Sequence, residues 1–202
     1  MSEDEVNRRA NEKRAKHKQA KDKILAKKVK EGGLLVVHTG KGKGKTTAAM
    51  GMVMRAIGHG QKVGIVQFVK GKWETGERVV LEAFPDLVTI TAMGEGFTWE
   101  TQDRARDIAA ARAAWERAKE MILDPANAMV LLDEINIVLR NDYLPIEEVA
   151  AFLKDRPKQV HVICTGRNAK PELIEIADLV TEMTEVKHHF RADFKAQAGI
   201  EF

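Results

Sequence analysis

The sequence is poor in the features that mark secreted and membrane proteins. It has one cysteine, Cys164, among 202 residues, so no disulfide can form within the chain. No apolar run approaches the roughly 20 residues that a membrane-spanning helix needs, and the first residues lack the apolar segment of a signal peptide. We therefore expect a soluble protein of the reducing cytoplasm, with Cys164 as a small residue of the core.

The charge is unevenly divided between the beginning of the chain and the rest. Residues 1–31 hold 11 basic and 6 acidic residues, whereas residues 32–202 hold 22 basic and 24 acidic residues. A chain of this length builds one core, so we expect a basic N-terminal helix or arm over 1–31 and a single domain over 32–202. The weak apolar periodicity of the basic segment favours a surface helix that covers its own domain or a partner. The alternative is an arm that binds nucleic acid.

Short apolar runs alternate with helical periodicity from residue 34 onward. Runs that are apolar at nearly every position are typical of strands buried on both faces, which occur in parallel sheets. Between them, Gly58 and Gly60 end a predicted helix, and Thr101 is the expected N-cap of a long alanine-rich helix. The pattern predicts an α/β fold, a doubly wound and mostly parallel sheet with helices on both faces. The six predicted strands cover residues 34–38, 63–69, 87–93, 128–134, 159–165 and 178–186.

The stretch TGKGKGKTT, residues 39–47, follows the first predicted strand and precedes a predicted helix. Its end, Gly44, Lys45 and Thr46, matches the end of a phosphate-binding loop, although Thr39 stands where the strict motif has its first glycine. In such a loop, backbone N–H groups and the helix dipole bind phosphate oxygens, and the threonine hydroxyl can hold Mg²⁺. The residues expected to bind phosphate are Gly40, Lys41, Gly42, Lys43, Gly44, Lys45, Thr46 and Thr47.

The apolar run MVLLDE ends in Asp133 and Glu134, at the carboxyl end of a predicted strand. Such acids share the crevice with the phosphate loop, so with Thr46 they are the candidate Mg²⁺ ligands, one acid binding directly or through water and the other orienting a nucleophile. A nucleoside triphosphate with Mg²⁺ is therefore the expected ligand. The guanine-reading motif NKxD is absent, and no acceptor site of a small-molecule kinase is recognisable, so these residues alone leave the reaction open.

The stretch AMGEGFTWETQDR, residues 92–104, places Phe97 and Trp99 on a loop bracketed by glycines. The two aromatic residues either pack under the loop as core or offer a stacking surface to a flat ligand.

Several further blocks, taken together with the phosphate loop and the stretch 92–104, carry a resemblance to a known family. These blocks are RAIGHG, VQFVKG, LLDEIN, NDYL, TGRN, ADLVTEM and VKHHFRADFKAQAGIEF. The sequence resembles the ATP:corrinoid adenosyltransferases of the cob(I)yrinic acid a,c-diamide type, a recombinase-like branch of the P-loop fold, from about residue 33 to the C-terminus. The resemblance implies transfer of the 5′-deoxyadenosyl group of ATP to Co(I) of a reduced corrinoid, with release of triphosphate, in vitamin B12 synthesis or salvage.

The same resemblance implies roles for individual residues. Lys45, Thr46, Lys43 and Mg²⁺ would neutralise the triphosphate, which the family binds in reversed orientation so that the ribose carbon faces cobalt. Phe97 and Trp99 would pack against the lower face of the corrin and displace its axial base, which eases reduction of Co(II). The expected catalytic residues are Lys45, Thr46, Glu134, Phe97 and Trp99, and Arg167 is a candidate contact to phosphate or corrinoid.

The resemblance also implies partners. An electron-donating reductase and a homodimer are expected, with the basic helix covering a site in its own or the partner subunit. His188 and His189 are expected in a terminal segment near the site, where they either pack structurally or contact a ligand. No membrane partner is expected. The rival hypothesis is a recombinase-like ATPase that binds nucleic acid through residues 1–31 and uses Glu134 to orient water.

Overall fold

The computed structural model describes residues 2–69, 75–92 and 103–201. The chain divides into two compact units, Met1–Glu31 and Gly32–Phe202. The first unit contains helix α1, Glu3–Leu25, which begins with a reciprocal capping box between Ser2 and Glu5 and has no buried residue. None of the helices in the described ranges combines the length and apolar character needed to cross a membrane.

The second unit contains a six-stranded, fully parallel sheet, so the predicted fold class is confirmed. The strands lie in the order β3-β2-β4-β5-β1-β6. Strand β5 therefore separates β1, which leads into the phosphate loop, from β4, which ends in the acid pair. The strands are β1 Leu35–Thr39, β2 Lys62–Gln67, β3 Val88–Ala92, β4 Asn127–Asp133, β5 His161–Thr165 and β6 Leu179–Glu182.

The last strand is shorter than the predicted range of 178–186. Strand β6 stops at Glu182, and the next carbonyl, that of Met183, accepts a hydrogen bond of 2.7 Å from Gly42 N–H in the phosphate loop. The chain thus leaves the sheet because its backbone packs over this loop, a tertiary contact that the apolar pattern does not reveal.

Helices cover both faces of the sheet and enclose two apolar clusters. Alternate residues of β1 serve the two clusters: Leu35 and Val37 face one, and Val36 faces the other. Helices α2 and α3 pack on the Val36 face, and the other four α-helices that the structure describes in this unit pack on the opposite face around Trp115. The helices are α2 Lys45–Gly58, α3 Gly76–Leu81, α4 Arg104–Leu123, α5 Ile135–Arg140, α6 Ile146–Asp155 and α7 Pro171–Ile176.

The helix boundaries follow mostly local signals. Helix α2 ends at Gly58, and Gly60 adopts a left-handed φ of 70°, as the glycines predict. Helix α4 differs, because its N-cap is Asp103, whose side chain accepts a hydrogen bond from Arg106 N–H. The predicted cap, Thr101, lies outside the described residues, two positions before the observed one.

Candidate active site

The phosphate loop connects the end of β1 to the start of α2. Gly44 is the N-cap of α2 with φ of 99°, a left-handed conformation that strongly favours glycine. Since glycine has no side chain, no capping side chain accepts hydrogen bonds from the first N–H groups of this 14-residue helix, so they remain available to a ligand. These donors and the positive end of the helix dipole form an anion-binding site.

Thr39 and Gly40 explain why the motif starts one residue late. Thr39 is the last residue of β1, is buried, and its hydroxyl accepts a hydrogen bond of 2.9 Å from Ala169 N–H. The turn begins at Gly40, with φ of 96°, where an added Cβ would lie 2.4 Å from the Met183 carbonyl oxygen. The threonine therefore belongs to the strand, and the glycine is required one position later.

Lys45 is folded back over the loop. It is 7% exposed, and its ammonium group donates a hydrogen bond of 2.5 Å to the Gly42 carbonyl. Burial lowers the pKa of Lys45, the nearby Glu134 carboxylate raises it, and the cations Arg167 and Lys43 lower it further. Glu134, Arg167 and Lys43 therefore lie close enough to Lys45 to influence its pKa.

Asp133 connects three elements at the carboxyl edge of the sheet. Its Oδ1 accepts hydrogen bonds from the hydroxyls of Thr46, at 3.0 Å, and Thr165, at 2.7 Å. Thr46 belongs to α2 and Thr165 ends β5, so the strand between β1 and β4 supplies the bridge. Burial raises the pKa of Asp133, and the two hydroxyl donors oppose that shift. The carboxylate oxygen is thereby held beside the threonine of the phosphate loop.

Glu134 follows in a strained conformation. Its φ of 62° is left-handed, which is costly for a residue with a side chain, and its N–H donates a hydrogen bond of 2.9 Å to the Thr165 hydroxyl. Burial and the neighbouring Asp133 raise the pKa of Glu134 to about 7. Its Oε2 is buried and makes no hydrogen bond within the described residues. A buried, unpartnered carboxylate oxygen at this edge is suited to a cation or a bound water.

This donor set fits Mg²⁺. Mg²⁺ prefers oxygen ligands, and it is commonly bound by one or two carboxylates together with substrate phosphates and water. Thr46, Asp133 and Glu134 offer a hydroxyl and two carboxylates next to the loop. Within the described part of the chain, no group of three or more His, Cys, Asp or Glu side chains could hold a metal ion by itself, so phosphate oxygens and water would complete the shell.

The remaining predicted residues fall into two groups. Lys41, Thr47 and Arg167 are exposed, and Arg167 follows β5 in the same loop as Asn168. Asn168 adopts φ of 55°, as expected for a residue that tolerates this conformation. Phe97 and Trp99 lie outside the described residues.

Cys164 and Thr165 are neighbours in β5. The sequence predicted the position of Cys164 in the core but not the role of Thr165 in the site. Cys164 is fully buried, and burial raises the pKa of its thiol to about 12, so its assignment to the core is confirmed. Thr165 was not predicted, although it holds both acids in place. Its signal was weak, because it is a single threonine, the first residue of the block TGRN, at the end of an apolar strand.

The start of α4 is anchored beside the α5–α6 connection. Arg104 donates hydrogen bonds to the carbonyls of Asn141, at 3.1 Å, and Asp142, at 3.3 Å, and its guanidinium lies 5.1 Å from the centre of the Tyr143 ring. Lys170 pairs with Asp142 and links this connection to the loop after β5. The sequence block NDYL therefore joins the first turn of α4 to the loop that carries Arg167.

The parallel sheet, the glycine-rich loop before α2 and the acids after β4 define an α/β P-loop protein that binds nucleoside triphosphate. Residues 31–202 match the family model described as ATP:corrinoid adenosyltransferase BtuR/CobO/CobP. The chain belongs to this family.

Three curated relatives are similar over nearly the whole chain. A corrinoid adenosyltransferase of Sinorhizobium sp. is 58% identical over 94% of this chain and 90% of the relative. One of Pseudomonas aeruginosa is 51% identical over 98% of both chains, and the corrinoid adenosyltransferase CobA of Salmonella typhimurium is 47% identical over 96% of this chain and 98% of the relative. Nothing in these comparisons supports the nucleic-acid hypothesis.

Proposed function

We propose that this protein transfers the 5′-deoxyadenosyl group of ATP to Co(I) of a reduced corrinoid and releases inorganic triphosphate, in adenosylcobalamin synthesis or salvage. The observation that carries the proposal is the contact between the phosphate loop and the acid pair, through Thr46 and Asp133, in a chain of the ATP:corrinoid adenosyltransferase family. Co(I) is itself a strong nucleophile, so the protein needs no catalytic base.

The reaction is a single displacement at the ribose carbon. The cobalt electron pair attacks C5′, the bond between C5′ and the triphosphate oxygen breaks, and a cobalt–carbon bond forms as triphosphate leaves. The developing charge is on the leaving group, so stabilisation of that charge is the main electrostatic task. The segment Gly40–Thr47 binds the triphosphate, and Lys45 contributes its ammonium charge at close range.

Thr46, Asp133 and Glu134 would hold Mg²⁺ against this triphosphate. The ion, when bound, supplies further charge neutralisation to the leaving group. Thr165 keeps Asp133 and Glu134 in place, through hydrogen bonds to the Asp133 carboxylate and from the Glu134 N–H.

The corrinoid side of the site rests on Phe97, Trp99 and Arg167. The two aromatic residues would pack on the lower face of the corrin, and Arg167 would contact phosphate or a corrinoid side chain. Electrostatic coupling of Arg167 to both Lys45 and Glu134 supports its place beside the phosphates.

The proposal extends to assembly and location. A reductase delivers the electron that produces Co(I), the protein acts as a homodimer in the cytoplasm, and the basic helix α1 covers a site in its own or the partner subunit. Its net positive charge suits an acidic surface on such a partner.

Product analysis under anaerobic conditions tests the proposal. The protein is incubated with ATP, Mg²⁺ and chemically reduced corrinoid, and we expect triphosphate together with the spectrum of a light-sensitive alkylcobalt compound. Formation of ADP and phosphate, with no alkylcobalt product, would overturn it.

A further inference from the structure

The end of the chain reaches back to the phosphate loop. Lys43 of the loop forms an ion pair with Glu201, which is 158 residues away in the sequence. The Glu201 side chain is only 12% exposed, whereas that of Lys43 is 43% exposed. A mostly buried carboxylate is therefore placed against a loop whose other features favour anions.

The position of Glu201 is fixed by the terminal segment. Its second carboxylate oxygen lies 3.0 Å from His189 Nε2, and its N–H donates a hydrogen bond of 2.9 Å to the Gln197 carbonyl. The His189 ring stacks on His188, with centroids 4.8 Å apart. This segment adjoins the backbone that covers the loop, where Gly42 donates to Met183.

Lys43 belongs electrostatically to the phosphate site. It is close enough to Lys45 to lower the pKa of that ammonium group, so it is close enough to interact with an anion bound at Lys45. The Glu201 carboxylate offsets part of that attraction, because it already neutralises part of the Lys43 charge.

We propose that Glu201 competes with triphosphate for Lys43, so that the end of the chain weakens the binding of triphosphate, the leaving group of the reaction, to the phosphate loop. The inference rests on the proposed use of the loop to bind triphosphate. In a displacement that leaves triphosphate on the loop, tight binding favours bond breaking but delays release of this product. A carboxylate that returns to Lys43 as the product departs shortens that delay, which makes Glu201 a positioning residue for this cation.

The test is direct binding of inorganic triphosphate with Mg²⁺, measured by calorimetry on the full chain. Glu201→Gln removes the charge with little change of shape, and we expect its Kd for triphosphate to fall about three- to fivefold, the size expected for a partly exposed ion pair. Glu185→Gln is the matched control, since Glu185 belongs to the same terminal segment but pairs with Arg191, at 2.5 Å, rather than with a loop lysine. The Kd of Glu185→Gln for triphosphate should equal that of the wild type.

A double-mutant cycle with Lys43→Ala assigns the effect to the pair. In the Lys43→Ala background, Glu201→Gln should no longer tighten binding. Equal or weaker binding by Glu201→Gln in the wild-type background would overturn the inference, because a purely structural carboxylate predicts that result. Glu201→Ser repeats the comparison if the glutamine variant does not fold.

The binding experiment needs no corrinoid, so it tests the role of Glu201 independently of the proposed adenosyl transfer. Normal triphosphate binding without adenosyl transfer would overturn only the proposed function. Equal Kd values for wild type and Glu201→Gln, in an enzyme that does transfer the adenosyl group, would overturn only the role of Glu201.

Discussion

The Thr46 hydroxyl donates a hydrogen bond of 3.0 Å to Asp133 Oδ1, and so joins the phosphate loop to the end of β4. The two residues are 87 positions apart in the sequence, and β5 lies in the sheet between β4 and β1, the strand that precedes the phosphate loop. Thr165 of β5 completes the bridge by donating to the same oxygen. The proposed Mg²⁺ site therefore depends on helix α2 and strands β4 and β5 meeting at the carboxyl edge of the parallel sheet.

Asp133→Asn should weaken Mg²⁺ binding without unfolding the protein. Asparagine retains the oxygen that accepts from Thr46 and Thr165, but it loses the charge, so we expect about ten- to hundredfold weaker Mg²⁺ binding in the presence of ATP. Titration of activity with Mg²⁺ measures this change. Asp86→Asn, in an exposed turn, is the control. An unchanged Mg²⁺ requirement would remove Asp133 from the metal site.

Lys45→Ala should lower the rate of adenosyl transfer. Loss of a buried cation beside the leaving group is expected to cost about 100- to 1,000-fold in kcat, by analogy with removal of one oxyanion donor. Lys62→Ala serves as the control, because Lys62 is exposed at the opposite end of a strand. Single-turnover kinetics with Co(I) supplied ready-made give the measurement, and wild-type rates for Lys45→Ala would contradict the proposed role.

Replacement of both Phe97 and Trp99 by alanine should impair the reduction of bound Co(II) more than the transfer of the adenosyl group to Co(I). If they displace the axial base of the corrin, the variant retains more of its activity on ready-made Co(I) than of the activity that requires reduction of bound Co(II). The two assays are run side by side with the same corrinoid. Equal losses in both would count against the proposed role.

Glu134 should make the protein less stable as the pH rises. Its pKa is about 7 in the folded protein, against an ordinary value of 4.5 that applies to the unfolded chain. Between these values the folded state binds more protons, so the free energy of unfolding decreases with pH. The full contribution is present below about pH 4.5 and is lost through pH 7, with a total of roughly 3 kcal/mol.

The check is urea unfolding at pH 5 and pH 8, in EDTA and without nucleotide. Glu134→Gln should show a smaller decrease between the two pH values than the wild type, because the uncharged amide does not titrate. The buried Asp133, whose pKa is also raised, leaves a residual slope in both proteins. Identical slopes would show that Glu134 does not titrate in this range.

The sequence predicted the sheet well because its signals are local. Runs such as residues 128–132 are apolar throughout, and burial on both faces of a parallel strand demands that composition. The phosphate loop was equally visible, since glycines at positions 40 and 44 are required by the backbone conformation of the turn. The end of β6 was missed because a contact with the loop, rather than its own residues, decides where the strand stops.

What the sequence by itself determined is therefore the class of fold, the anion-binding loop and the candidate acids, each encoded within a few adjacent residues. Only the tertiary structure decided which distant residues complete the site: Thr165 between the acids, and Glu201 on Lys43. The physical reason is that side-chain hydrogen bonds and ion pairs across the sheet depend on strand order and chain path. A single threonine or glutamate in the sequence carries no record of either.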